Sequence, residues 1–236
     1  MKDKHLFFDL DRTLWDFDKN SQAALEHLFV ELELNQKISS FHIFHDIYKE
    51  NNSKLWKAYG EGRIQKDHLR YERFRNTLIA FEIFDENIVQ QISDAYVNLS
   101  PQLTHLFPNT LETLDELKQS KYNMHIITNG FKEVQYTKLH HAQLAPFFDV
   151  VVCSEEVGKN KPSLEIYKHA MQLAGAKPES SVMIGDDFEV DIIGALNAGM
   201  CAIHFNPEVS ISQKDNTTIS CISELPKILP SLFKVV

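Results

Sequence analysis

HLFFDLDRTL, from His5 to Leu14, is the stretch on which the reading of this chain turns. Leu6, Phe7 and Phe8 form a short apolar run, as a strand buried on both faces does, and Asp9 ends it. Asp9 and Asp11 then stand two residues apart, where such a strand emerges into a loop. In an open parallel sheet, ligands bind outside the carboxyl ends of the strands. Acids buried there are costly unless they meet a cation, a donor or each other. Taken alone, the pair reads as an Asx-turn closing a strand. Three later stretches change that reading.

Outward from this strand, residues 17–104 read as wholly helical. Asn20 or Ser21 is the expected cap of a helix through Ala23, Leu25, Leu28, Phe29 and Leu32. A second helical pattern spans about 41–59, until Gly60 and Gly62 break it. A third spans about 65–81 and is rich in arginine, and a fourth about 86–99. From Thr110 onward, helices and strands alternate. Strands are expected at 122–128, 149–153, 182–184, 200–205 and 217–222. Helices are expected at 110–119, 131–144, 163–174, 191–198 and 224–233. Alternation of this kind implies an α/β fold, a Rossmann-like parallel sheet with helices on both faces. The expected division is an α/β core of residues 1–16 and 105–236 and an inserted helical domain, 17–104, over the end of the sheet.

Four polar clusters fall at or just beyond the carboxyl ends of these strands. They are Asp9 with Asp11; Thr128-Asn129-Gly130; Lys161, in GKNKPSLEIY; and Asp186, Asp187 and Asp191, in IGDDFEVDIIGALNAGM. Each has an ordinary structural explanation: a turn, a solvated lysine, a helix cap. Together they bring four to five carboxylates, an ammonium and a hydroxyl to one edge of one sheet. Such crowding calls for a cation. Oxygen-only ligands favour a hard ion that keeps some waters, which points to Mg²⁺.

The totals bound the partners. The chain has 236 residues, 43% apolar and 24% charged, with a net charge of −9. That balance argues against a nucleic-acid backbone as partner. Cys153, Cys201 and Cys221 lack metal-ligand spacing and read as buried apolar residues in a reducing compartment. The N-terminal apolar stretch is too short for a signal peptide, and no stretch approaches a membrane span. The cytoplasm is the expected location.

On FDLDRTL, TNG, KPSLEIY and GDDFEVD, in that order, the chain resembles the haloacid dehalogenase superfamily of aspartate-nucleophile phosphohydrolases. The helical insertion lies where type-1 cap domains lie. DLDRTLWDFDKNS and the length resemble its pyrimidine 5′-nucleotidase branch. The resemblance implies Asp9 as the nucleophile, forming an aspartyl-phosphate, and Asp11 as the acid and base for leaving group and water. It implies that Thr128 Oγ and the Asn129 N–H hold phosphoryl oxygens and that Lys161 neutralises charge. Mg²⁺ would sit on Asp9, the Asp11 carbonyl and Asp186, with Asp187 or Asp191 holding its waters. The implied partner is a small phosphorylated metabolite, a pyrimidine nucleoside 5′-monophosphate first. Phosphoglycolate and sugar phosphates are the alternatives, as is phosphosugar mutase chemistry. A dehalogenase typically lacks the second acid, and a non-enzymatic receiver module has no place for the insertion. Trp15 either stacks on a base or packs the hinge. Arg63, after the second inserted helix, either binds substrate or belongs with Arg70, Arg73 and Arg75 to a solvated face.

Overall fold

The computed structural model describes residues 3–209 and 217–233. Six strands form one sheet: β1 (His5–Phe8), β2 (Asn123–Thr128), β3 (Val150–Cys153), β4 (Ser181–Gly185), β5 (Cys201–Phe205) and β6 (Thr218–Ile219). Their order is β3-β2-β1-β4-β5-β6, and every pair is parallel. The architecture is α/β and Rossmann-like. Within β1, alternation assigns neighbours to opposite faces. Leu6 and Phe8 join one core with Leu114, Leu117, Leu225 and Leu229. Phe7 joins another, with Ile166, Tyr167, Ala170 and Met171. Helices α5 (Thr110–Gln119) and α10 (Leu225–Leu232) therefore cover one face, and α8 (Leu164–Ala174) the other. Both faces are buried, so the short strands read as continuous apolar runs.

The chain leaves β1, adds β2 and β3 on one side, and returns to place β4 on the other side of β1. The carboxyl ends of β1 and β4 thus flank the point where strand order reverses, the place where such sheets bind ligands. Asp9 directly follows β1 and Asp186 directly follows β4.

The chain divides into two compact units, Met1–Phe17 with Thr104–Val236, and Asp18–Leu103. The second is helical: α1 (Phe17–Glu31, which begins in the first unit), α2 (Phe41–Gly60), α3 (Lys66–Ile79) and α4 (Glu86–Leu99). Its core joins Leu25, Leu28, Phe44, Tyr48, Phe74, Leu78 and Ile92. Three local expectations change here. Helix α1 starts at Phe17, so Asn20 and Ser21 are buried inside it rather than capping it, and Ser21 Oγ bonds the Tyr96 hydroxyl at 2.8 Å. Gly60 stays within α2, and the chain turns at Gly62, whose φ of +72° suits glycine. Arg73 is buried, not solvated, because its guanidinium lies 4.8 Å over the Tyr96 ring and bonds Asn52. In the first unit, Cys153 is buried as expected, but Cys201 and Cys221 are only partly so.

One buried pair in the sheet sets a pH limit on stability. His5 Nδ1 and His125 Nε2 lie 3.0 Å apart. Burial, helped by the neighbouring His5, lowers His125 from 6.5 to about 4. A depressed base is neutral when folded but takes up a proton near pH 6.5 when unfolded. Stability is therefore complete above pH 6.5 and is lost as pH falls towards 4. From 6.5 and about 4, the loss at pH 5 is about 2 kcal/mol. Urea midpoints at pH 7.5 and 5 should differ accordingly, and His125→Phe should flatten the dependence. An equally steep profile in His125→Phe would assign the loss elsewhere.

Candidate active site

After β1 the chain makes a tight turn. The N–H groups of Leu14 and Trp15 both donate to the Leu10 carbonyl, and Arg12 takes a left-handed φ of 64°. The turn aims successive carboxyls at different partners. Asp9, 7% exposed, accepts from Lys161 Nζ at 2.6 Å. The same ammonium donates to Asp191 Oδ1, also at 2.6 Å. The other Asp191 oxygen accepts from the Asp187 N–H at 3.2 Å. Asp186 accepts from Thr13 Oγ1 at 3.3 Å, and its carbonyl lies 2.9 Å from His204 Nε2.

Ligand oxygens of Asp9, Asp186 and Asp191 all lie within 4.8 Å of one another. Three carboxylates and one ammonium leave an excess of buried negative charge. Burial drives Asp9 well above the usual carboxylate range; Lys161 opposes this, and Asp191 and Asp186 reinforce it. Burial and Asp191 likewise push Asp186 up to about 6. Burial alone would depress the Lys161 ammonium, but Asp191 and Asp9 hold it above its ordinary value. An all-oxygen donor set under this strain fits a hard divalent cation.

Two local devices make the approach possible. A Cβ on Gly185 would lie 2.3 Å from Asp191 Cγ, so only glycine ending β4 admits that carboxylate. The segment after β4 opens as π-helical turns, Phe188–Ile193, before α9 (Gly194–Asn197). This replaces the plain helix expected from Asp191. The widening follows from Asp187, whose carbonyl accepts from both Asp191 and Ile192 N–H. Tyr167, from the KPSLEIY stretch, donates to the Val190 carbonyl at 2.5 Å and ties the widened turn down. Gly194 leaves room for that hydroxyl, since a Cβ would lie 2.6 Å from it.

The remaining expected residues divide. Asp187 is exposed and spends its carboxylate on capping, accepting from the Val190 N–H at 2.9 Å. It does not join the oxygen cluster of Asp9, Asp186 and Asp191. Thr128 Oγ1 lies at the end of β2 and accepts from the Gly130 N–H at 3.1 Å. The Asn129 side chain braces the lysine loop, accepting from the Lys161 N–H at 2.8 Å and donating to the Lys161 carbonyl at 3.1 Å. Asp11 stands apart from the cluster. Its carboxylate accepts from Lys138 Nζ at 2.5 Å and Gln135 Nε2 at 3.1 Å, both from helix α6 (Lys132–His141). Trp15 is fully buried within the sheet core, so its indole is packing and offers no stacking face. Arg63 belongs to the helical unit, where it is exposed and paired with Glu61.

Lys138, Gln135 and Thr13 are the polar partners that sequence reading missed. The available signal was weak: the segment 132–141 carries few apolar residues, with no clean stripe to mark which polar ones turn inward.

The family model described as haloacid dehalogenase-like hydrolase matches residues 6–205. A glyceraldehyde 3-phosphate phosphatase of Methanothermobacter thermautotrophicus is 34% identical over 96% of this chain and 99% of its own. The pyrimidine 5′-nucleotidase YjjG of Escherichia coli is 30% identical over 97% of this chain and 99% of its own. The crystal structure of the HAD-hydrolase YfnB from Bacillus subtilis, bound to magnesium, superposes with a TM-score of 0.84 at 28% identity. It covers 97% of this chain and 100% of that one. With its acid cluster at the switch point of a parallel sheet, the chain belongs to the family of haloacid dehalogenase-like hydrolases, among relatives named as phosphatases and nucleotidases.

Proposed function

We propose that the chain is a Mg²⁺-dependent phosphomonoesterase working through an aspartyl-phosphate on Asp9. The observation that carries this is the Asp9–Lys161–Asp191 bridge beside Asp186, a nucleophile fixed by a buried ammonium within an all-oxygen cluster. A carboxylate oxygen of Asp9 attacks phosphorus while the bond from phosphorus to the ester oxygen breaks. Asp11 gives its proton to the departing alkoxide. Water then attacks the phosphoryl group, Asp11 takes its proton, and the bond to Asp9 breaks, releasing phosphate. Lys161 holds Asp9 in place and balances charge as it develops. Thr128 Oγ1 and the Asn129 N–H are the donors assigned to the phosphoryl oxygens.

Asp9, Asp186 and the Asp11 carbonyl would hold Mg²⁺, which supplies positive charge for the phosphoryl oxygens. Asp191 is assigned to Lys161, since both its oxygens are already engaged. Ion binding to the folded state raises stability, by about 2.7 kcal/mol at one hundred times Kd. The wild-type melting temperature should therefore rise on adding Mg²⁺. Asp186→Ala should abolish most of that rise, and Asp191→Ala should lower the starting stability yet retain more of it. The reverse order would exchange the two assignments. Full activity in excess EDTA would remove the metal altogether.

For the substrate we propose pyrimidine nucleoside 5′-monophosphates. Support comes from the YjjG relative and from the aromatic pair Trp56 and Tyr59, half-buried at the end of α2, with ring centroids 5.7 Å apart. Such rings suit flat bases. Arg63, on the turn that follows, is proposed to contact the leaving group. The relative at 34% identity favours a second reading, a small sugar phosphate. A panel of UMP, dUMP, dTMP, AMP, glyceraldehyde 3-phosphate and phosphoglycolate, compared by kcat/KM, decides between them. Preference for the non-nucleotide esters would overturn the nucleotide assignment and leave the phosphatase chemistry standing. If nucleotides are preferred, Arg63→Ala should weaken them while sparing p-nitrophenyl phosphate.

A further inference from the structure

Asp11 is held by an apparatus of its own, separate from the ammonium that serves Asp9. Lys138 Nζ and Gln135 Nε2 engage different oxygens of the Asp11 carboxylate, at 2.5 and 3.1 Å. Both donors are buried: Gln135 is 1% exposed and Lys138 3%. They stand three residues apart on α6 and so lie on one face of that helix. The Lys138 ammonium sits 4.2 Å over the Trp15 ring and 5.7 Å from the Phe17 ring centroid. Those rings give the cation an aromatic contact in addition to the carboxylate. Gln135 reaches Asp11 only because residue 130 is glycine, where a Cβ would lie 1.9 Å from Gln135 Nε2. The Gly130 N–H is itself fixed on Thr128 Oγ1. A mere surface ion pair needs none of this. Two buried donors on adjacent oxygens fix both the position and the rotation of the carboxyl group.

We infer that Gln135 and Lys138 are positioning residues that set the orientation of the Asp11 carboxyl for proton exchange with the leaving oxygen. The inference rests on the reading of Asp11 as acid and base. Neither residue touches the phosphoryl group in this role; both act through Asp11. Lys161 secures the nucleophile and Lys138 the proton carrier, so two buried lysines divide the two tasks.

Leaving-group dependence separates positioning from simple structural support. The value of kcat/KM reports on steps through the first bond cleavage, where Asp11 acts as acid. An alkyl leaving group needs that proton, whereas p-nitrophenolate departs as a stable anion. The variants are Lys138→Met, which keeps the aliphatic stem over Trp15, and Gln135→Glu, which keeps size and reverses the polarity facing Asp11. Each is compared with Asp11→Asn on p-nitrophenyl phosphate and on the alkyl ester that the panel shows to be turned over fastest. Both variants should lose roughly 10- to 100-fold on the alkyl ester, as misplacement of a reacting group does. On p-nitrophenyl phosphate the loss should stay within about threefold, since little proton transfer is needed there. Equal losses on both esters, or none on either, would overturn the inference. If Lys138→Met fails to fold by circular dichroism, the isosteric Gln135→Glu decides alone. Should Asp11→Asn discriminate between the esters while these variants do not, the inference falls and the role of Asp11 stands. Should Asp11→Asn not discriminate, the reading of Asp11 falls and the inference with it.

Discussion

Asp9→Asn is expected to lower kcat by at least about 10⁴-fold, because an amide oxygen is a poor nucleophile toward phosphorus and no neighbouring group can replace it. Asp191 is pinned by Lys161 and the Asp187 N–H, and Asp11 is held away by Lys138 and Gln135. The substitution keeps size and shape, and Lys161 keeps Asp191 as a partner, so the fold should survive. Removing one of three clustered carboxylates also relieves the repulsion that, with burial, drives Asp9 above its ordinary range. Stability without metal should therefore change little or rise, while activity disappears. The covalent claim has its own readout. Wild-type enzyme quenched in acid during turnover should carry phosphate that hydroxylamine releases, and Asp9→Asn should carry none. Turnover above about one hundredth of wild type, or label on another residue, would refute the nucleophile assignment, given the residual rates that purely non-covalent catalysis leaves.

Much of this site is legible in the sequence for one reason: strand ends in a parallel sheet converge on one edge. The run Leu6–Phe8 and the alternation after Thr110 sufficed to place Asp9, Thr128 and Asp186 at or just beyond such ends, where the structure has them. Lys161 lies further on, past the short helix α7 (Ser154–Val157) that follows β3, and reaches Asp9 through its Nζ. What sequence could not carry is pairing. Nothing in residue type distinguishes Lys138, buried on a tryptophan, from Lys132, exposed on Glu156. Lysine is solvated so often that burial is the exceptional reading. Trp15 shows the converse case: residue type left both a base platform and packing open, and after the tight turn at Arg12 the side chain lies in the core. Asp187 and Asp191 were equivalent on paper. The π-helical turns separate them, turning Asp191 inward and leaving Asp187 as a cap. Backbone detail of that kind is set by Tyr167, on α8 and outside the aspartates' own stretch, packing against Gly194 at the start of α9.

Lys161→Met should produce the largest loss of stability. The lysine side chain is 1% exposed and bridges Asp9 and Asp191 at 2.6 Å each. Methionine fills most of the space but leaves two buried carboxylates facing each other without a counter-charge. Breaking a buried ion pair by removing one partner typically costs about 3–5 kcal/mol. Here two acids lose the same cation, and Asp186 adds a third negative group to the cluster. The melting temperature without metal should fall sharply, and kcat should fall by on the order of 10²–10³-fold as the charge beside the transferring phosphoryl group is lost. A double variant separates the two effects. Lys161→Met combined with Asp191→Asn removes one orphaned charge along with the ammonium and should recover a large part of the lost stability. Its activity should stay low, because Asp9 still lacks its cation. Urea unfolding of wild type, both single variants and the double variant gives the coupling energy directly. Coupling near zero would mean that the bridge contributes little and that the lysine acts on catalysis alone. Recovery of activity together with stability would mean the reverse, that Lys161 serves the fold and Asp9 needs no partner to attack.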